Sequence, residues 1–385
     1  MPFLLNSQNI FDYLVEHQLA PQSDKDLSQV APIAAKNFNV LVTFPNSYKL
    51  LVKQERHNQE GKAAGEFLGE WHVQAFLQRF PQLDSLRPFL PQVLHFDREN
   101  SILVCRYLDD YQDLMEFYTK ENRFPTEIAT AIGTILATLH RQTFNQQDYQ
   151  KFFAQNSDNL TRDQVPKFIR GLERIKPEVF GLVPADGLKF FALYQRYDSL
   201  GQAIAELGNA FTPACLTHND LKLNNILLYN DWQQDSNIIV RLIDWERVDW
   251  GDPAFDLGTP ISSYVQIWLS SLVISKSLSI EESLRLAMTP LEWLQPSIAR
   301  LTQAYLDTFP EILEHRPDFL KRVVQFAGFA LIYQIQGMIQ YEKSFGNTGI
   351  AMLQVAKSLL CRPELSMATI FGTAATELTG SRSRS

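Results

Sequence analysis

The chain has 385 residues, 45% hydrophobic and 20% charged, enough to bury a sizeable core in one large domain or two smaller lobes. Its formal net charge of -8 argues against general affinity for nucleic acid. The three cysteines, Cys105, Cys215 and Cys361, lie far apart without a Cys-x-x-Cys pair, which excludes a disulfide framework or a thiolate zinc site and points to a reducing, cytoplasmic compartment.

From the N-terminus, Met1 to Gln18 mixes Asp12, Glu16 and His17 with apolar residues and has no basic leader, so no secretory signal is expected. Asn39 to Phe44 and Tyr48 to Lys53 are apolar, β-rich runs joined by Pro45-Asn-Ser47, the pattern of a hairpin. Glu66 to Arg79 carries Phe67, Trp71, Ala75 and Phe76 at helical spacing, and Pro81 closes it. Ser101 to Tyr107 reads as a further strand.

Beyond Tyr107 helical patterns dominate. Glu127 to His140 places Ile128, Ile132, Ile135, Leu136 and Leu139 on one face, and later helices are predicted near 281–287, 291–309, 318–343 and 349–360. Leu257 to Ser275 and Val323 to Tyr341 contain no charged residue. Their serines and glutamines suit helices buried in a core better than membrane spans. Trp232, Trp250, Trp268 and Trp293 are read as packing residues, since no basic groove accompanies them. Thr373 to Ser385 is small, polar and basic, a composition that predicts disorder.

One hairpin interrupts the helices: Asn225 to Tyr229 and Ile238 to Ile243 are short β-rich runs around a turn-rich segment. A hairpin brings the residue before its first strand beside the residue after its second, here Asn225 and Asp244. An amide oxygen and a carboxylate so placed make a hard-oxygen site suited to Mg²⁺. Asp220, five residues before Asn225, can take or orient the proton of an incoming hydroxyl.

His218-Asn-Asp220 with Asn225, followed by Ile243-Asp244, resembles the catalytic loop and metal-binding aspartate of the kinase superfamily. Ile243-Asp-Trp-Glu246 with Gly251-Asp-Pro-Ala-Phe-Asp256-Leu257 looks most like its aminoglycoside phosphotransferase and choline/ethanolamine kinase-like branch. Protein kinases carry Asp-Phe-Gly at that point. The resemblance implies an α+β, two-lobed protein-kinase-like fold: a small sheet-rich N-lobe over residues 1–106 and a large, mainly helical C-lobe over 107–372. It implies Asp220 as catalytic base, Asn225 and Asp244 as Mg²⁺ ligands, His218 as support for the loop, and Asp256 bonding the loop backbone from the start of a buried helix. Lys53 is implied to contact the ATP phosphates, with Glu70 as its helical partner and Glu66 as the alternative. Backbone groups near Cys105 and Tyr107 are implied to meet the adenine edge. Lys222 either touches the transferred phosphate or faces solvent.

One departure stands out: Leu27 to Phe38, where such enzymes carry a glycine-containing phosphate loop, has no glycine. The phosphate loop is nevertheless expected within Ala31 to Asn39. The expected activity is transfer of the γ-phosphoryl group of ATP to a hydroxyl of a small amino alcohol, sugar or aminoglycoside-like compound, with no nucleic-acid or membrane partner. A peptide or protein Ser/Thr kinase and a catalytically silent scaffold are the alternatives.

Overall fold

The computed structural model describes residues 3–58, 63, 65–156, 164–173, 185–234, 238–273, 278 and 280–380. Its strands are β1 (Gln29–Ile33), β2 (Phe38–Thr43), β3 (Lys49–Gln54), β4 (Val93–Asp97), β5 (Ile102–Arg106), β6 (Tyr111–Asp113), β7 (Cys215–Thr217), β8 (Ile226–Tyr229), β9 (Val240–Leu242) and β10 (Asp249–Gly251). The helices that position functional side chains are α1 (Ile10–Glu16), α2 (Glu66–Arg79), α3 (Thr126–Thr143), α4 (Gln147–Asn156), α5 (Pro253–Ser270), α6 (Leu291–Thr308) and α7 (Phe319–Gly337). The class is α+β, as expected, and the chain divides into two compact units. The first comprises Met1–Asp113, Asp148–Arg162 and Asn225–Asp249, and the second the remainder.

The first unit is built on an antiparallel sheet of order β1-β2-β3-β5-β4. Burial alternates along β3: Leu50, Val52 and Gln54 turn inward, while Lys49, Leu51 and Lys53 lie on the opposite face. The inward face packs with Ile10, Phe11 and Leu14 of α1 in one apolar cluster. The expected hairpin is β2–β3, in register Phe38↔Gln54 through Thr43↔Lys49, and its turn is closed by Ser47 in the left-handed region (φ 63°).

Helix α2 has the expected bounds. Its N-terminus is capped from a distance: the Gly65 and Phe67 N–H groups donate to the two carboxylate oxygens of the buried Glu55, at 2.8 and 2.7 Å. A carboxylate there satisfies two of the amides the helix cannot and complements its dipole. The other end of α2 is held by aromatic rings. Phe76 packs on Tyr149, Phe152 and Phe153 of α4 with centroids 5.1–5.5 Å apart, and Phe80 lies 4.6 Å from Tyr149. This packing makes α4 part of the first unit although it follows α3 in sequence.

In the second unit α3 and α6 touch backbone to backbone. A Cβ added at Gly133 would lie 2.2 Å from the Leu301 carbonyl oxygen, so no other residue fits there. Most of each charge-free run falls in a buried helix, 257–270 in α5 with Leu257, Ile261 and Tyr264 inward and 323–337 in α7 with Val323, Phe326 and Ile332 inward. Among their glutamines, Gln325 donates to the Leu360 carbonyl (3.2 Å) and accepts from Arg322 (2.9 Å). No helix among the described residues is long and apolar enough to cross a membrane.

Two expectations fail. Trp293 is 54% exposed, because the inward stripe of α6 runs through Leu291, Leu294, Ile298, Leu301 and Tyr305 and passes it by. The segment expected to be disordered from Thr373 instead continues as helical turns through Gly380, anchored by the buried Leu378. Residues 381–385 lie outside the described residues.

Candidate functional site

In the first unit Lys53 Nζ donates to Glu70 Oε1 at 2.8 Å, with side chains only 14% and 1% exposed. Glu66, the alternative partner, pairs instead with Lys36. Burial opposes the charge on Lys53, but Glu70, and after it Asp244, outweigh that penalty and lift its pKa above the usual lysine range. The lysine is thus a permanent cation, further seated over the Phe67 ring, 5.7 Å from its centroid.

Gly69, next to Glu70, sets how α2 sits. A Cβ there would be 2.5 Å from the Glu246 carbonyl oxygen and 2.9 Å from that of Trp245. The helix carrying Glu70 therefore rests directly on the backbone just after Asp244.

The ribbon β8–β9 pairs Ile226 with Leu242, and the Ile243 N–H donates to the Asn225 carbonyl at 2.9 Å. Asn225 thus stands opposite Ile243, with Asp244 one residue further on. Asp244 has φ 66°, a left-handed conformation uncommon for a residue with a side chain. Trp245 fixes this bend: it is 1% exposed, and its indole N–H donates to the Leu242 carbonyl at 2.9 Å. Asn225 is itself buried.

Sequence reasoning passed over Glu246 as a site residue. A carboxylate oxygen of Glu246 lies within 4.8 Å of one of Asp244. Burial first, then Asp244 and Glu66, push the Glu246 carboxyl up to about 7. Its position two residues after Asp244 was the available signal. Asp244 and Glu246 offer two carboxylates, hard oxygens with crowded negative charge that a divalent cation would relieve.

Cys105 is buried in β5, where burial and then Glu70 push its thiol up to about 12, so it stays neutral. The Tyr107 N–H donates to the Lys49 carbonyl at 3.0 Å, because sheet pairing runs one residue beyond β5.

In the second unit the loop after β7 is held by Asp256, which is fully buried on α5. One carboxylate oxygen accepts from the His218 N–H at 2.6 Å and the other from the Asn219 N–H at 2.7 Å. Asn219 takes φ 62°, turning the chain so that Asp220 follows. The Asp220 N–H points to His218 Nδ1 at 3.3 Å, the supporting contact expected of His218.

Behind Asp256 stands a second tier that sequence reading did not find. His140 spans from Asp256 Oδ2 (3.3 Å) to the Tyr305 hydroxyl (2.8 Å), all three groups being buried. Asp252 caps α5 through the Ala254 N–H (2.9 Å), accepts from the Thr212 N–H (2.8 Å), and binds Arg316 at 2.5 Å. Burial raises the Asp252 pKa, with Arg316 opposing that shift. Lys222 turns back to Asp220, Nζ to Oδ2 at 3.3 Å, while 40% of its side chain remains exposed. It is therefore not simply a solvent-facing residue.

The sequence model of the phosphotransferase enzyme family (APH) matches residues 37–275. A 4-hydroxytryptamine kinase of Psilocybe cyanescens is 24% identical over 187 residues, 45% of this chain and 46% of that protein. The chain thus spans about half the length of that curated relative. Among solved structures, choline kinase LicA from Streptococcus pneumoniae is 15% identical, covering 91% of this chain and 98% of its own, with a TM-score of 0.42. ADP-bound aminoglycoside phosphotransferase APH(2'')-Ib is 17% identical, covering 92% and 99%, with a TM-score of 0.47.

Proposed function

The chain belongs to the phosphotransferase enzyme family, and from that premise we propose that it transfers the γ-phosphoryl group of ATP to a hydroxyl of a small molecule. The observation that carries this reading is the buried lysine Lys53, kept charged by Glu70 and Asp244 on the unit that also bears the hard-oxygen cluster. A buried ammonium is costly unless it has work among anions, and polyphosphate is the anion that a hard divalent cation accompanies.

Asn225, Asp244 and Glu246 would hold Mg²⁺, which when bound neutralises charge on the phosphate oxygens. Lys53 steadies the phosphates as a point charge, and Glu70 keeps its ammonium in place. Asp220 accepts or orients the proton of the acceptor hydroxyl, on a loop whose backbone is fixed by Asp256. Lys222, paired with Asp220, lies ready for the transferred group.

The acceptor is a small alcohol, an amino alcohol, a sugar or an aminoglycoside-like compound. The name of the curated relative keeps an amine-bearing aromatic alcohol within that class. The free cysteines suit a reducing cytoplasm.

The test is phosphorylation of an acceptor panel, including peptides, with radiolabelled ATP and Mg²⁺. Asp220→Ala should lower the rate by roughly 10²–10⁴, and both Asp244→Ala and chelation of the metal should abolish turnover. Variants as active as wild type would end the proposal.

A further inference from the structure

The turn between β1 and β2 is Ala34-Ala35-Lys36-Asn37, without glycine. Such a turn cannot press its backbone N–H groups onto a polyphosphate as a glycine-containing one can. Its side chains are instead placed for the task. Lys36 forms an ion pair with Glu66, and the Asn37 side-chain amide donates to the other Glu66 oxygen at 3.2 Å.

Glu66 and Glu70 are four residues apart on α2, hence on one face with Cβ atoms about 5–6 Å apart. The Lys36–Glu66 and Lys53–Glu70 pairs therefore stack along the same helix face, one turn from each other. Asn39 adds a third group. It is the cross-strand partner of Lys53, so the two side chains share one face of the sheet. Its Oδ1 is buried and has no hydrogen-bond partner. With nothing donating to Oδ1, no hydrogen bond through that oxygen fixes which way the amide is turned.

Resting on the reading that the chain binds ATP, we propose that Lys36 and Asn39 form a side-chain clamp for the polyphosphate of the nucleotide, with Glu66 holding Lys36 until the nucleotide arrives. Lys36 is suited to the exchange because its side chain is 53% exposed, against 14% for Lys53, so it can leave Glu66 without dragging a charge through the core. A polyphosphate carries several negative charges and draws the ammonium away from the single carboxylate of Glu66, 23% exposed. Phosphate oxygens only accept hydrogen bonds, so Asn39 meets them with Nδ2, after a turn of an amide that nothing holds through Oδ1.

Calorimetric titration of Mg·ATP, Mg·ADP and AMP into wild type, Lys36→Met, Lys36→Gln, Asn39→Ala and Glu66→Gln tests the clamp. Both Lys36 variants should bind ATP and ADP about tenfold more weakly and AMP unchanged, and Asn39→Ala should lose about fivefold on ATP. Glu66→Gln, which frees the lysine, should bind ATP at least as tightly as wild type. Lys36 variants that keep wild-type ATP affinity, or that lose AMP in equal proportion, overturn the clamp, as does a Glu66→Gln protein with weakened ATP binding. If wild type binds none of the three nucleotides, the phosphotransfer reading itself falls. If wild type binds and the variants do not discriminate, only the clamp does.

Discussion

Replacing Gly69 by alanine tests whether the seat of α2 governs catalysis. The new methyl carbon would stand 2.5 Å from the Glu246 carbonyl oxygen, on a backbone atom that no rotamer change can move. Ordinary carbon–oxygen contact needs about 3.4 Å, so α2 and the Asp244–Glu246 backbone must separate by roughly 1 Å. Overpacking of this kind costs about 1–3 kcal/mol, and alanine returns about 1 kcal/mol of helix propensity, leaving a net loss of about 0–2 kcal/mol. At about 2–4 °C per kcal/mol for a protein of this size, Tm should fall by no more than about 8 °C. Catalysis should suffer more than stability. Glu70 rides with the helix and Lys53 with Glu70, and a misplacement of 1 Å can cost roughly 10²-fold in rate. The assay is kcat at saturating Mg·ATP beside a thermal scan, with Gly171→Ala as the control. Nothing lies within 4 Å of a Cβ built at Gly171, so that variant should gain slightly in stability and keep kcat. A Gly69→Ala protein with wild-type kcat would refute the coupling of helix seat to lysine position.

Other substitutions probe separate parts of the framework. Asp256→Asn should destabilise the protein by about 2–4 kcal/mol in urea unfolding, since it removes the charge that receives two loop N–H groups at 2.6 and 2.7 Å; an unchanged midpoint would show the loop is held otherwise. Lys53→Met removes the cation from the buried Glu70 carboxylate and should cost about 3 kcal/mol, part of which Lys53→Met with Glu70→Gln restores; additive losses in the double variant would contradict the pairing. His95, whose pKa is lowered by burial and then by His17, its ring tilted and 4.4 Å away, with Asp97 opposing, is neutral in the fold. The unfolded chain therefore takes up that proton first as pH falls through about 6.5, so stability declines on acidification, and His95→Gln should flatten Tm between about pH 7 and 5. Equal slopes in the two proteins would remove His95 from the account.

Much of the site was legible because its parts are neighbours in sequence. A short ribbon closes on itself, so Asn225 is set opposite Ile243, one residue before Asp244, by local pairing that any β-rich run around a polar turn announces. The same holds for β2–β3 and for Lys53 at the end of its strand. Helical phase cannot choose between Glu66 and Glu70, which share a face of α2; only the coordinates show Lys36 occupying Glu66 and leaving Glu70 to Lys53. By contrast α1 escaped notice, because seven residues give too little periodicity to distinguish a helix, and β1 carries Pro32 and is largely exposed.

The supports of the site were illegible for a physical reason. His140 reaches Tyr305 across 165 residues of chain and Asp256 across 116, and Arg316 reaches Asp252 across 64. Each is an ordinary helix or loop residue whose neighbours carry no spacing that marks it. What selects them is the cost of leaving Asp256 or Asp252 in the core without partners, a demand that arises only once the helices have packed. Glu55 capping α2 and the α4 rings around Phe76 belong to the same class. Residues expected to meet substrate can thus be read from local pattern, whereas residues that hold them still are chosen by the finished core. A variant that ruins activity while keeping every motif residue intact should therefore map to His140, Arg316, Glu55 or Phe76.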